Sequence, residues 1–179
     1  MYNDNSLLPR EAIRLAALGI LAGASIPYAQ LAAEVRHFAS RIAGPSPELM
    51  GTSIELLVCE GLIAHDGEGD DAPLVLTADG RDELDRLLHA GVRATNTEVN
   101  KLILALKFRF LHLLSEDEQA VQVAMTAEAC ETELARLVDL RAAHASDPGH
   151  LVDWLDHDIA QAETRLAWLR AFAAKLGGN

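Results

Sequence analysis

Apolar positions along most of this chain recur every three or four residues, the period of a helix with one buried stripe. The first stripe is Ile13, Ala16, Ala17, Ile20 and Leu21. Pro9 opens it, at a position where a missing N–H costs nothing, and Gly23 closes it. Ser25-Ile26-Pro27 opens a second helix with Tyr28, Leu31, Ala32 and Val35 on one face, and its tail runs through Phe38 and Ile42 towards Gly44. Gly44-Pro45-Ser46-Pro47 reads as a turn, with Ser46 as an N-cap and Pro47 as the first helical residue. The third helix buries Met50, Ile54, Leu57 and Val58 and stops at Gly61. There the period changes. Leu62-Ile63-Ala64 and Leu74-Val75-Leu76 are short apolar runs about a polar Gly-containing loop at residues 67–71, which predicts a β-hairpin. Thr77 then caps a helix carrying Leu84, Leu87 and Leu88.

Beyond Gly91 the pattern is wholly helical. Val99, Leu102, Ile103, Leu106, Phe110, Leu113 and Leu114 define one helix, and Ser115 with Glu118 is a capping-box signature that starts the next. That helix carries Ala120, Val123, Ala127, Cys130, Leu134, Leu137 and Arg141 in a near-heptad seam. Asp147-Pro148-Gly149 breaks the chain. The last helix repeats the seam at Leu151, Leu155, Ile159, Ala162, Leu166, Leu169, Ala173 and Leu176, with Trp154 and Trp168 beside it.

Three helices followed by a hairpin is the order of a winged helix-turn-helix, in which the third helix lies in the major groove and the hairpin is the wing. The expected architecture is mostly α: a winged helix-turn-helix over residues 1–91, then an antiparallel long-helix dimerisation module over residues 92–179. Stripes of this kind leave apolar surface for a second subunit, so a homodimer is expected, with Leu151, Leu155, Ile159, Leu166, Leu169 and Leu176 along its seam.

Composition agrees with a folded, helical chain. Of its 179 residues 50% are apolar and 23% charged, and aromatics are only 4%. No apolar run approaches the ~20 residues of a membrane helix, and the N-terminus lacks the basic and apolar regions of a signal peptide. A cytoplasmic protein with no membrane partner is expected. Cys59 and Cys130 have no metal or redox spacing and read as small buried apolar residues.

Charge changes the picture more. The net charge is −12, and residues 42–80 contain no Lys or Arg. The same stretch carries Glu48, Glu55, Glu60, Asp66, Glu68, Asp70, Asp71 and Asp79, with His65 as its only basic side chain. Affinity for a duplex comes largely from Lys and Arg neutralising phosphates, so eight carboxylates in the stretch that holds the predicted recognition helix and wing oppose binding. Base-edge readout favours Arg, Lys, Asn or Gln, and the third helix has none of them, although Thr52 and Ser53 offer short contacts. Arg10, Arg14, Arg36 and Arg41 on the first two helices are the cations left for phosphate contacts, which position a protein without specifying a sequence. Leu56, on a face expected to be exposed, suits a protein partner instead.

Catalytic and metal chemistry find little support. His150, Asp153 and His157 are the closest histidine grouping on one helix, but zinc wants three or four convergent ligands. No Gly-rich phosphate loop or nucleophile elbow occurs. Neither an enzyme nor a bound cofactor or metal is expected.

Several local motifs, in order, resemble PadR-type transcriptional regulators. Arg14-Leu15-Ala16-Ala17-Leu18-Gly19-Ile20-Leu21 is similar to that family's opening helix, and Pro27-Tyr28-Ala29-Gln30-Leu31 to its second. Glu60-Gly61-Leu62-Ile63 resembles the close of its third helix, and Leu76-Thr77-Ala78-Asp79-Gly80-Arg81 the segment after its wing. Lys107-Phe108-Arg109-Phe110 and Leu114-Ser115-Glu116-Asp117-Glu118 resemble the start of its dimerisation helices, and Ala167-Trp168-Leu169 its terminal helix. The resemblance implies a dimeric transcriptional regulator, with Tyr28 facing a phosphate backbone. The chain departs from it where DNA is read: Gly51 replaces a tyrosine, Glu55-Leu56 a basic pair, and the wing tip is acidic.

Two mechanisms follow. In one, helix 3 and the wing bind an operator with help from the four arginines. In the other, a face of Tyr28, Glu48, Thr52, Glu55, Leu56, Asp66, Glu68, Asp70 and Asp71 meets another protein, as an antirepressor, adaptor or DNA mimic. A third reading, a small-molecule sensor, places Phe110, Trp154 and Trp168 in a pocket between subunits.

Overall fold

The order of elements follows the hydrophobic pattern closely. The computed structural model describes residues 6–44, 54–69, 71–93 and 97–177. Its elements are α1 (Pro9–Gly23), α2 (Tyr28–Ile42), α3 (Ile54–Cys59), β1 (Ile63–His65), β2 (Leu74–Leu76), α4 (Ala78–His89), α5 (Glu98–Phe110), a 3-10 turn (Leu111–Leu113), α6 (Glu116–Ala143) and α7 (Leu151–Leu176). The predicted start of the third helix, at Ser46, Pro47 and Met50, lies outside the described residues. Backbone contacts divide the chain into two compact units: residues 1–90 with 96–114, and residues 91–95 with 115–179. The division thus comes later than residue 91 for α5, whose apolar residues face the first unit.

In the first unit α1 is the central helix. Ala12, Ile13, Leu15, Ala16, Ala17, Leu18, Ile20 and Leu21 are all buried, against the single stripe that periodicity predicts. Beyond the polar Arg10, Glu11 and Arg14 of its first turns the helix is buried on every side as far as Leu21, as a core helix is, and α1 packs on α2, α3, α4, α5 and β2. Gly19 has a packing reason to lack a side chain: a Cβ there would lie 2.5 Å from the ring of Phe110 on α5.

β1 and β2 pair antiparallel with Ile63 opposite Leu76 and His65 opposite Leu74, and the Leu74 N–H donates to the carbonyl of Ile26 at 2.8 Å. Ile26, placed by sequence at the opening of a helix, is therefore a bridge on the edge of the hairpin, and α2 starts two residues later. Thr77 does cap α4: its hydroxyl accepts from the Gly80 N–H at 3.0 Å and lies 2.7 and 2.9 Å from the carbonyls of Gly61 and Leu62. Three helices and this hairpin form the winged-helix arrangement. α5 ends at Phe110, and the tighter turn that follows leaves Leu113 exposed, not on the buried stripe.

The second unit is a helical hairpin. Ser115 and Glu118 exchange the two bonds of a capping box at the start of α6. Gly149, with φ of +98°, lies in the reversal between the helices. The partners across the hairpin run in opposite order, Glu131 with Arg170, Glu133 with Arg165 and Arg141 with Asp156, so α6 and α7 are antiparallel. Val123, Ala127 and Cys130 on α6 and Leu155, Ala162, Leu166 and Leu169 on α7 are buried in one chain. Three of the six residues expected along a dimer seam, Leu155, Leu166 and Leu169, thus fill the hairpin, while Leu151 is exposed and Ile159 and Leu176 are half-buried.

Candidate functional site

The site that the sequence singles out is the outer face of α3 and the wing. α3 turns Ile54 and Leu57 into the core and leaves Glu55, Leu56 and Cys59 outside. Leu56 is 52% exposed. Cys59, expected to be buried, is exposed because it lies on the outer face with Leu56; Cys130 is buried as expected, its thiol 3.5 Å from the Ala162 carbonyl. α3 packs against β1, and the loop beyond β1 presents Asp66, Glu68 and Asp71 to solvent. Gly67 and Gly69, with φ of +125° and +105°, let that loop turn. Glu48, Thr52 and Asp70, named with this face, lie outside the described residues.

Tyr28, at the start of α2, points its hydroxyl to Oε1 of Glu55 at 3.5 Å. Partial burial first, and the Glu55 carboxylate second, raise the Tyr28 pKa above its ordinary value. The tyrosine that the resemblance turns towards phosphate thus faces a carboxylate of its own chain.

The four arginines divide. Arg14 is held between Glu60, at 2.8 Å, and Glu83, at 3.2 Å, so it ties α1 to the end of α3 and to α4. Glu83 also binds Arg86 at 2.7 Å, and Arg86 reaches Glu11 at 2.8 Å. The hydrogen bond from Arg86 holds the Glu83 carboxyl below the usual carboxylate range. Arg10, Arg36 and Arg41 are exposed and make no ion pair among the described residues. Glu11 and Glu34, the carboxylates on the same two helices, pair with Arg86 and Arg109.

Two buried or half-buried cations escape periodicity altogether. Lys107 is 4% exposed, and its ammonium donates to the carbonyl of Leu88 at 2.8 Å and to that of Ala90, at the end of α4. Burial pulls its pKa down to about 8. Arg109 binds Glu34 at 2.6 Å and lies 4.8 Å over the ring of Phe38, joining α5 to α2. The only sequence signal was a cation on the apolar side of a helical stripe.

The residues proposed for a ligand pocket are dispersed by exposure. Phe110 is buried in the first unit beneath Gly19. Trp154 and Trp168 are 58% and 52% exposed on α7, and Trp168 stacks on Phe172 at 5.4 Å. A shallow concavity of about 660 Å³ runs along α7 beside His157, Gln161, Arg165 and Trp168. His150 bonds Asp153 at 3.0 Å and His157 contacts Gln161, and no metal-holding group occurs among the described residues.

With this geometry in view, residues 2–173 match the AphA-like transcriptional regulators. The chain belongs to that family. Its membership is of a class of regulators, not of a class of enzymes. No curated protein sequence matches the chain. Among solved structures, Bacillus subtilis PadR is 16% identical over 96% of this chain and 98% of that one, with a TM-score of 0.40. PadR in complex with p-coumaric acid gives 16%, 96%, 99% and 0.39 by the same measures, and PadR in complex with operator DNA 18%, 92%, 97% and 0.36. No helix among the described residues is long and apolar enough to cross a membrane.

Proposed function

We propose that this AphA-like regulator is a cytoplasmic, non-enzymatic homodimer that acts on transcription through protein contacts of its α3–wing face. One observation carries the reading: between residues 42 and 80 there is no Lys or Arg, and the described part of α3 and the wing exposes Glu55, Asp66, Glu68 and Asp71. A carboxylate brought against phosphate gains repulsion and loses hydration, and no cation in this stretch offsets it. A DNA mimic needs an acidic surface, and an antirepressor or an adaptor is compatible with one. Dimerisation is supported by the apolar side chains that the α6–α7 hairpin leaves outside, among them Val121, Val138, Leu151, Trp154 and Trp168.

Operator binding is the second reading, and Arg10, Arg36 and Arg41, exposed and without an ion pair among the described residues, favour it. Titration of the full chain against genomic fragments at about 50 mM salt separates the two, because counterion release makes duplex binding strongest there. The protein-contact reading expects no retained fragment. Retention with a steep negative salt slope overturns it in favour of an operator.

A further inference from the structure

Leu56 is informative because of where it stands. Single exposed leucines are ordinary, but α3 already supplies Ile54 and Leu57 to the core, so Leu56 adds nothing to the fold. Glu55 precedes it, Cys59 shares its exposure, and the wing packed beside α3 carries Asp66, Glu68 and Asp71. The electrostatic field of these carboxylates attracts cations from a distance and repels a duplex. An apolar seat within an acidic face matches the side chains of Lys and Arg, which lay alkyl stems on apolar surface while their charged ends stay among carboxylates.

We infer that the α3–wing face docks a cationic amphipathic protein segment, one in which Lys or Arg alternates with aliphatic residues, with Leu56 as its apolar seat. This rests on the reading that the face meets protein, and it goes further by fixing the chemistry of the partner. Charge complementarity steers the encounter and Leu56 supplies the discrimination, since a segment with equal charge and no aliphatic side chains gains nothing from it.

The test uses the full chain and two fluorescent synthetic peptides of equal length and charge, one alternating Lys with Leu and the other Lys with Ser. Anisotropy titrations should give about tenfold tighter binding of the Lys/Leu peptide, the size expected for half-burying a leucine on each side. Leu56→Ser should bring the two peptides together, while Trp168→Ser, on the other unit, should not. Glu55→Gln with Asp66→Asn should weaken both peptides and flatten their salt dependence. Equal binding of the two peptides by the wild type, or a preference that survives Leu56→Ser, overturns the inference. Failure of the parent reading shows separately, as tight binding of a duplex in the same buffer.

Discussion

Gly19 and Gly23 lie in the same helix, and substitution of each by alanine should move stability in opposite directions. At Gly23 an added methyl meets nothing within 4 Å. Only the loss of backbone freedom in the unfolded chain then counts, and Gly23→Ala should stabilise by about 0.5 kcal/mol. At Gly19 the same methyl lies 2.5 Å from the Phe110 ring, which has to retreat by roughly 1 Å to restore ordinary contact. Phe110 is buried at 5% exposure, so the retreat disturbs packed neighbours. Overpacking costs about 1–3 kcal/mol and the helix gains up to about 1 kcal/mol from alanine, leaving a net loss near 1 kcal/mol. Urea denaturation followed by far-UV circular dichroism reads both variants. Both tryptophans, Trp154 and Trp168, belong to the second unit, so their fluorescence serves as an internal reference. Phe110→Leu should suppress the cost of Gly19→Ala in a double-mutant cycle, with a coupling of about 1 kcal/mol. A Gly19→Ala variant more stable than wild type would refute the argument that Phe110 is a core side chain seated on that glycine.

Other expectations concern charge and the hairpin. Lys107 has a folded pKa of about 8 against an ordinary 10.5, so between those values the unfolded chain binds more protons and stability rises with pH. The rise is at most ~3 kcal/mol, since carbonyls at the end of α4 favour the charged form; Lys107→Met should abolish it in denaturation curves at pH 7.5 and 10, within roughly the error of the extrapolation. Arg14→Gln should cost about 1 kcal/mol through its half-exposed pairs with Glu60 and Glu83, and leave any salt slope for duplex DNA unchanged, because Arg14 is not available to phosphate. An altered slope would return Arg14 to the phosphate contacts. Leu155→Asp with Leu169→Asp should unfold the α6–α7 hairpin, visible as lost helicity, whereas Trp154→Glu with Trp168→Glu should keep the helicity and lower the mass seen by light scattering. Normal helicity in the first pair would mean that the seam faces another chain.

How much of this was legible in the sequence differs by element. The stripes at Ile13, Ile20, Leu31, Val35, Val123 and Leu166 predicted buried faces because a helix repeats its environment every turn. The caps at Thr77 and Ser115 were legible because a cap is a local bond within four residues. The partners of Arg14, Arg86 and Arg109 were not, since Glu60, Glu11 and Glu34 lie dozens of positions away and any surface carboxylate satisfies composition equally. The packing of α5 on α1 was missed for the same reason: its stripe says that a face is buried, and not against which helix. Leu56 was legible as exposed, and Cys59 was not, because a small apolar residue at the last turn of a short helix fits either side.

The acidity of the α3–wing face is sharpened by where the cations of the first unit go. Lys107 sits on the end of α4, Arg109 on Phe38 and Glu34, and Arg14 and Arg86 among Glu11, Glu60 and Glu83. Each is engaged at a contact that joins helices, Lys107 by carbonyls and the three arginines by carboxylates, so the paired arginines contribute little positive field outside. Arg14 consumes one carboxylate of the stretch, Glu60, which leaves the others to set the sign. Of the exposed arginines without an ion pair among the described residues, Arg10, Arg36 and Arg41 stand on α1 and α2 and Arg81 on α4, all outside the stretch from residue 42 to residue 80 that contains α3 and the wing. Duplex binding through them alone gives phosphate contacts without base readout, against repulsion from the element that normally reads bases. A cationic partner meets no such conflict: the pairs hold α3 in place from inside, and the side chains left outside are the ones that attract it.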